Sequence, residues 1–221
     1  MNLCSNHEAQ TALGHLSRTE LRRELRRELR RRRRDLSQQQ QQTASQALVA
    51  RLRRLPELLT ARHVALYLPN DGEIDPRPLI RWLHRRRAQA YLPVLRPLAA
   101  NCLWFVRYDA RTPMVTNRFG IYEPDSRFGA HPSHRMPAWA LDAILLPLVG
   151  FDSSGQRMGM GGGFYDRTLA FAHPAQYNGG PRPRLIGLAH DVQRVDHLPI
   201  ASWDVPLDAI VSDAGVIRPA H

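Results

Sequence analysis

Six short apolar runs constrain this chain more than any other feature: "VALYL" (64–68), "AYLPVL" (90–95), "LWFVRY" (103–108), "AILLPLV" (143–149), "LIGLA" (185–189) and "AIVS" (209–212). Runs that are apolar throughout, rather than at alternate positions, predict strands buried on both faces. Helical stretches lie between them. Asp75-Pro76 opens one, and another fits from about Phe164 to Ala172. The expected fold is therefore α/β, a three-layer α/β/α arrangement with a mostly parallel central sheet. An arginine-rich N-terminal helix precedes it. Its start is marked by "SRTE", a capping box with Ser17 as N-cap and Glu20 three residues on, and Leu21, Leu25, Leu29 and Leu36 give it a narrow apolar stripe. A glutamine run at 37–42 follows, and Leu48, Leu52, Leu55 and Leu59 mark a second amphipathic helix. Residues 109–138, rich in Pro, Arg and His without periodicity, read as a long functional loop, and 173–184 as a surface connection. Residues 1–16 lack periodicity and read as a loose extension, leaving 17–221 as one domain.

Composition removes several classes of protein. No run approaches the roughly 18 apolar residues of a membrane helix, and the first residues do not resemble a secretion signal. Cys4 and Cys102 lack metal-ligand spacing and suit a reducing compartment, so a cytoplasmic protein without membrane attachment is expected. The net charge of +11 is concentrated: residues 18–34 hold ten arginines against three glutamates, a local +7. All 31 basic residues are arginine. A lysine-dependent phosphate loop, a Schiff-base enzyme and a lysine-dependent kinase are thereby excluded. Any phosphate must be held by arginine, by backbone N–H groups or by a metal ion.

"GMGGGFYDR" (159–167) places four glycines in five positions after a predicted strand and before helical sequence. Backbone amides in such a turn form an anion cradle, and the helix N-terminus adds favourable partial charge. A flexible hairpin tip is the plain alternative. Asp166 either caps the helix or ligates Mg²⁺, with Asp204 or Asp208 of "WDVPLD" as a second carboxylate. Arg22 and Arg26, four apart and so on one helical face, either reach phosphates or belong to a solvated polyanion-binding helix. His131 and His134 have no nearby third ligand and do not suggest zinc. Tyr165 and Phe119 read equally as core aromatics.

Five segments, in order, resemble the 5-formyltetrahydrofolate cyclo-ligase family, also called 5,10-methenyltetrahydrofolate synthetases. They are "LRRELRRRRRDLS" (25–37), "VALYLPNDGEID" (64–75), "NRFGIYEP" (117–124), "LPLVGFDSSGQRMGMGGGFYDRTL" (146–169) and "WDVPLDAIV" (203–211). The resemblance spans about 18–213 and implies ATP-dependent conversion of 5-formyltetrahydrofolate to 5,10-methenyltetrahydrofolate, with release of ADP and phosphate. It further implies that the formyl oxygen is phosphorylated and N10 then attacks. By the same resemblance Arg22 (where many members have lysine), Arg26, Arg157, Gly159, Met160, Gly161, Gly162, Gly163, Phe164 and Tyr165 meet ATP, with Arg157 and Tyr165 acting in catalysis. Leu68, Glu73, Phe119 and Tyr165 would meet the folate, Glu73 at the pterin, and Asp166 and Asp204 would hold Mg²⁺. A monomer that binds no nucleic acid is expected. The competing readings are an RNA- or polyanion-binding protein using the arginine helix, or another ATP-dependent enzyme on the same fold.

Overall fold

A computed structural model describes residues 17–219, apart from 98, 100, 175, 181 and 200–203. The loose extension expected at 1–16, with Cys4, lies outside the described residues.

Helix α1 (Arg18–Arg34) begins where the capping box requires. Ser17 Oγ accepts from Glu20 N at 3.3 Å, and Glu20 Oε2 accepts from Ser17 N at 2.9 Å, satisfying two groups a helix start leaves unpaired. Four arginines in its last turn complement the negative end of the helix dipole. Leu29 is fully buried, Leu21 and Leu25 half-buried. A methyl group at Gly150 would collide with Leu29, so the bare backbone there lets α1 dock.

Helix α2 (Gln38–Leu52) starts earlier than the leucine pattern predicts: a second capping box, Ser37 with Gln40, brings the glutamine run into its first turns. Helices α3 (Pro56–Thr60) and α4 (Pro78–Arg85) each carry proline in the first turn, where its missing N–H costs no hydrogen bond.

Every apolar run forms a strand: β1 (His63–Ala65), β2 (Gln89–Leu95), β3 (Leu103–Tyr108), β7 (Ala143–Pro147), β10 (Arg184–Leu188) and β12 (Ala209–Val211). Short strands β6 (Arg135–Met136) and β13 (Val216–Ile217) complete an eight-stranded sheet, ordered β13-β12-β10-β7-β1-β2-β3-β6. The five strands from β12 to β2 are parallel, while β13, β3 and β6 are antiparallel at the edges. Strand β1 stops at Ala65 rather than Leu68. Leu66 N still bonds Tyr91 O at 3.0 Å, after which the chain leaves the sheet towards a turn at 70–73.

Alternation along each strand builds two cores. Val64, Ala143, Leu145, Ile186 and Val211 pack beneath α2, α3 and α4. Ala65, Ile144, Leu146, Leu185 and Ile210 face a thinner layer containing Phe151, Leu169, Val205 and Leu207. The expected helix 164–172 is divided at Leu169 into α6 (Phe164–Thr168) and a 3-10 turn at 170–172. Residues 109–138 are more ordered than their composition predicts. They hold a hairpin of β4 (Met114–Thr116) and β5 (Tyr122–Pro124), helix α5 (Ser126–Ala130) and β6. Strands β8 (Gly150–Asp152), β9 (Arg157–Met158) and β11 (Arg194–Val195) form a small separate sheet leading into the glycine loop. No helix among the described residues is long and apolar enough to cross a membrane.

Candidate active site

The loops leaving β1 and β7 carry Glu73 and the glycine run, so both lie beyond the carboxyl ends of parallel strands, where open α/β sheets form crevices. In the run, Gly161 has φ +94° and Gly163 φ +68°, backbone that a side chain strains. Gly163 immediately precedes α6. The loop is anchored by its carbonyl groups. Arg26 Nε donates to Gly159 O at 2.9 Å; Gly162 O accepts from Arg167 Nη1 at 2.8 Å and Asn101 Nδ2 at 3.0 Å. Because the peptide unit is planar and trans, turning those carbonyls towards the protein directs the amides of Met160 and Gly163 the opposite way. No acceptor among the described residues takes the amides of 159–163. Arg26 binds through Nε alone, leaving its terminal nitrogens without a partner among the described residues, and burial holds its pKa below the ordinary arginine value.

Below the loop lie two acid–guanidinium pairs. Arg157, nearly buried, donates Nε to Val205 O at 3.0 Å and pairs through Nη2 with Asp166 Oδ1. The same oxygen accepts from Val205 N at 3.4 Å. No amide of α6 reaches the Asp166 carboxylate, so its contacts are not those of a helix cap. Arg22 pairs with Asp204 at 3.2 Å and donates to Pro199 O. Asp166 accepts from the Val205 amide, and Asp204 is the residue before Val205 in the chain. Asp208 is held elsewhere, by Arg182 and Arg184 at 2.9 and 3.1 Å and by Leu185 N at 2.8 Å, so Asp204 is the carboxylate that accompanies Asp166.

Glu73 closes the turn after β1: its N–H donates to Asn70 O at 3.1 Å and its Oε2 accepts from Asn70 N at 3.1 Å. Its side chain is 12% exposed. Burial raises its pKa to about 7, against the opposing pull of the Arg33 guanidinium. Tyr165 lies within electrostatic reach, its hydroxyl pKa raised by burial first and by the Glu73 charge second. Phe119, at the β4–β5 tip, is 53% exposed and meets Phe164 edge-on with ring centres 5.9 Å apart. Asn117 Oδ1 accepts from the amides of Phe119 and Ile121, and its Nδ2 donates to buried Glu123 at 2.8 Å. Leu68 is half-buried against the helix-covered core, just ahead of the Glu73 turn.

The structure therefore ties Arg26 to Gly159 of the loop, Arg157 to Asp166 and Arg22 to Asp204, with Arg26 in the electrostatic field of Arg22 and Asp204. Glu73 and Tyr165 stand together, Phe119 reaches the loop through Phe164, and Leu68 bonds none of them. Asn101, Asn117 and Val205 were missed by sequence reasoning: the two asparagines brace loop backbone through their side-chain amides and Val205 bonds through its own backbone, contacts that composition does not mark. Met160 is exposed on the loop, contributing backbone rather than side chain. Two clefts of about 530 and 550 Å³ are lined by none of the predicted site residues; the first, beside Trp104 and Trp139, reaches the loop anchor Arg167, and the second lies beside Glu57 and Asp142.

A mostly parallel α/β sheet whose carboxyl edge carries a glycine loop with unengaged amides, two carboxylate–guanidinium pairs and a buried acid has the layout of an anion-binding enzyme. A model of the 5-formyltetrahydrofolate cyclo-ligase family matches residues 18–213, and the chain belongs to that family. The 5-formyltetrahydrofolate cyclo-ligase of Escherichia coli K12 is 43% identical over 186 residues, covering 83% of this chain and 96% of that protein. The corresponding Haemophilus influenzae protein is 40% identical over 190 residues, covering 86% and 92%. The solution structure of Aquifex aeolicus 5,10-methenyltetrahydrofolate synthetase superposes with a TM-score of 0.74 at 29% identity, covering 91% of this chain and 94% of that one. The chain is accordingly an enzyme of the cyclo-ligase class.

Proposed function

We propose that the network around the glycine loop binds ATP beside a folate held by Glu73, Tyr165, Phe119 and Leu68, and carries the cyclisation through a phosphorylated formyl group. A formamide oxygen is a poor leaving group. The formyl oxygen therefore attacks the γ-phosphorus, the bond to the bridging oxygen of ADP breaks, and an imidate-like carbon results. N10 attacks that carbon, gives up its proton, and phosphate departs, leaving the methenyl bridge between N5 and N10. The protein's part is alignment and neutralisation of charge. Arg22, Arg26 and Arg157 supply the positive charge, and the amides of Gly159, Met160, Gly161, Gly162 and Gly163 wrap the phosphates, with Phe164 and Tyr165 at the helix start. Glu73 accepts from the N–H edge of the pterin, Phe119 forms an aromatic wall, and Tyr165 lies near the formyl group.

Asp166 and Asp204 suit Mg²⁺. Two carboxylates, one bonded to the Val205 amide and the other on the preceding residue, would together with phosphate oxygens and water supply the all-oxygen set this ion takes. Bound there, it would offset charge on the phosphates.

The observation that carries this reading is the pairing of unengaged loop amides with the unengaged end of Arg26. The arginines of α1 also argue against a polyanion-binding helix, since Arg22, Arg27, Arg30, Arg31, Arg32, Arg33 and Arg34 all pair with carboxylates of the chain. Mixing the protein with 5-formyltetrahydrofolate and Mg-ATP should give the near-ultraviolet absorbance of the methenyl product. Folded protein that yields none refutes the proposal. Saturating Mg-ATP at about 100 times its Kd should stabilise the fold by about 2.7 kcal/mol, an effect chelation should remove. An RNA-binding protein would ignore nucleotide and respond to RNA in a salt-dependent way.

A further inference from the structure

Arg33 is the largest fully buried side chain described, with 0% exposure in the last turn of α1. Arginine is almost never fully buried unless paired, and a buried ion pair is weak grounds for stability because desolvation offsets the attraction. We propose that Arg33 and Asp71 are positioning residues for Glu73, fastening the turn that presents its carboxylate to the pterin onto the helix that carries the nucleotide-facing arginines. This inference rests on the reading of Glu73 as the pterin acceptor.

The fastening is dense. Arg33 donates Nε to Asp71 O at 2.8 Å, Nη2 to Asp71 Oδ2 at 2.9 Å and Nη1 to Leu148 O at 3.4 Å. Arg30 and Arg34 bind the same carboxylate at 2.8 and 3.1 Å, so one helix puts three guanidinium groups on Asp71. Asp71 and Gly72 both have left-handed backbone, φ +53° and +76°, the Asp-Gly pair of a tight turn that Glu73 N–H closes onto Asn70 O. Gly72 must be bare, because a Cβ there would stand 3.1 Å from Arg33 O. Gln41 Nε2 donates to both Arg33 O and Gly72 O, at 3.0 and 3.3 Å, closing the seam. Glu73 follows at once, with Oε1 3.8 Å from Arg33 Nη2. Seven residues separate Arg26 from Arg33, about 10 Å of rigid helix between the nucleotide end and the pterin end.

The charges around Glu73 give the test its sign. Arg33 and, more weakly, Arg30 favour the ionised carboxylate; burial and Asp71 oppose it. The hydroxyl groups of Tyr67 and Tyr165 lie within its electrostatic reach, and buried His190, next to the backbone of Gly72, lies near Arg33. An ionised Glu73 is the form that accepts from the pterin, so kcat/KM for the folate should rise with pH through an acid limb belonging to this group.

The experiment follows kcat/KM for 5-formyltetrahydrofolate across pH 5.5–9, roughly the range bracketing that limb, at saturating Mg-ATP. In Arg33→Met the limb should move upward by about one pH unit, a roughly tenfold loss at pH 6 that largely recovers by pH 9, with KM for Mg-ATP unchanged. Arg33→Lys should hold the limb near its original place. Asp71→Asn should move it downward while raising the folate KM about threefold or more, since a charge that disfavours ionisation is gone and the turn is looser. A limb that stays put in both variants, or a loss equal at every pH, overturns the inference. Arg33→Met leaves Asp71 paired with Arg30 and Arg34, which favours folding, and Asp71→Asn tests the claim independently. Glu73→Gln separates the two levels. If it leaves folate kcat/KM and the limb untouched, the reading of Glu73 itself fails. If it abolishes the limb while Arg33→Met leaves it in place, only the positioning role fails.

Discussion

At Asp166 a single oxygen takes both the Arg157 guanidinium and the Val205 amide. Asparagine at this position keeps an acceptor for both and loses only the charge. Asp166→Asn should therefore lower kcat by about 100-fold or more, the scale of losing one electrostatic stabiliser, while Tm moves by less than about 4 °C, equivalent to roughly 1 kcal/mol in a chain of this size. Unfolding at unchanged specific activity would return Asp166 to a structural role. Gly161 tests the cradle. Its φ of +94° strains any side chain, and an added Cβ would stand 3.3 Å from Arg26 Cζ, so the guanidinium would have to shift. Gly161→Ala should raise KM for Mg-ATP about tenfold, from about 1–2 kcal/mol of backbone strain, with folate KM unchanged in the same assays. Residue by residue, the sequence disclosed what chemistry advertises: glycines in a row, an aspartate after them, arginines on one helical face. It did not disclose Arg33, which sits within five consecutive arginines and differs from the others only in what α1 docks against.

The long apolar strands were legible because four or more buried residues leave a run that no surface element imitates. Strands β4 and β5, three residues each, are too short to display a period of two, and so the hairpin was hidden inside an apparent loop. Helix α2 could have been placed earlier, since the Ser37–Gln40 pair has the spacing of a capping box. The hairpin matters because its tip is held by Asn117 and braced by Glu123, which puts Phe119 beside Phe164. Phe119→Ala should raise the folate KM about tenfold, within the range of losing one aromatic contact, leaving KM for Mg-ATP within error. Equal losses for both substrates in steady-state titrations would make the hairpin a general lid rather than a wall of the pterin site.

Strand order was beyond the sequence. Neighbours such as β1 and β7 pair residues as distant in the chain as Val64 and Ala143, and no local signal announces that β1 lies between β7 and β2. What the whole fold imposes is clearest in the energetics of Glu73. An acid with its pKa raised from 4.5 to about 7 binds its proton more tightly folded than unfolded, so the fold loses stability as pH rises through that interval and does not regain it above. The loss is roughly 3 kcal/mol. Glu73→Gln should consequently melt several degrees above the parent at pH 8 and level with it near pH 4, in parallel thermal scans; a constant offset would mean that burial of the charge is not the cause. The ion pair between Arg22 and Asp204 joins positions 182 apart. The contact clamps the first turns of α1 to the segment just ahead of β12, so a substitution at either partner loosens two places that the chain itself keeps far apart.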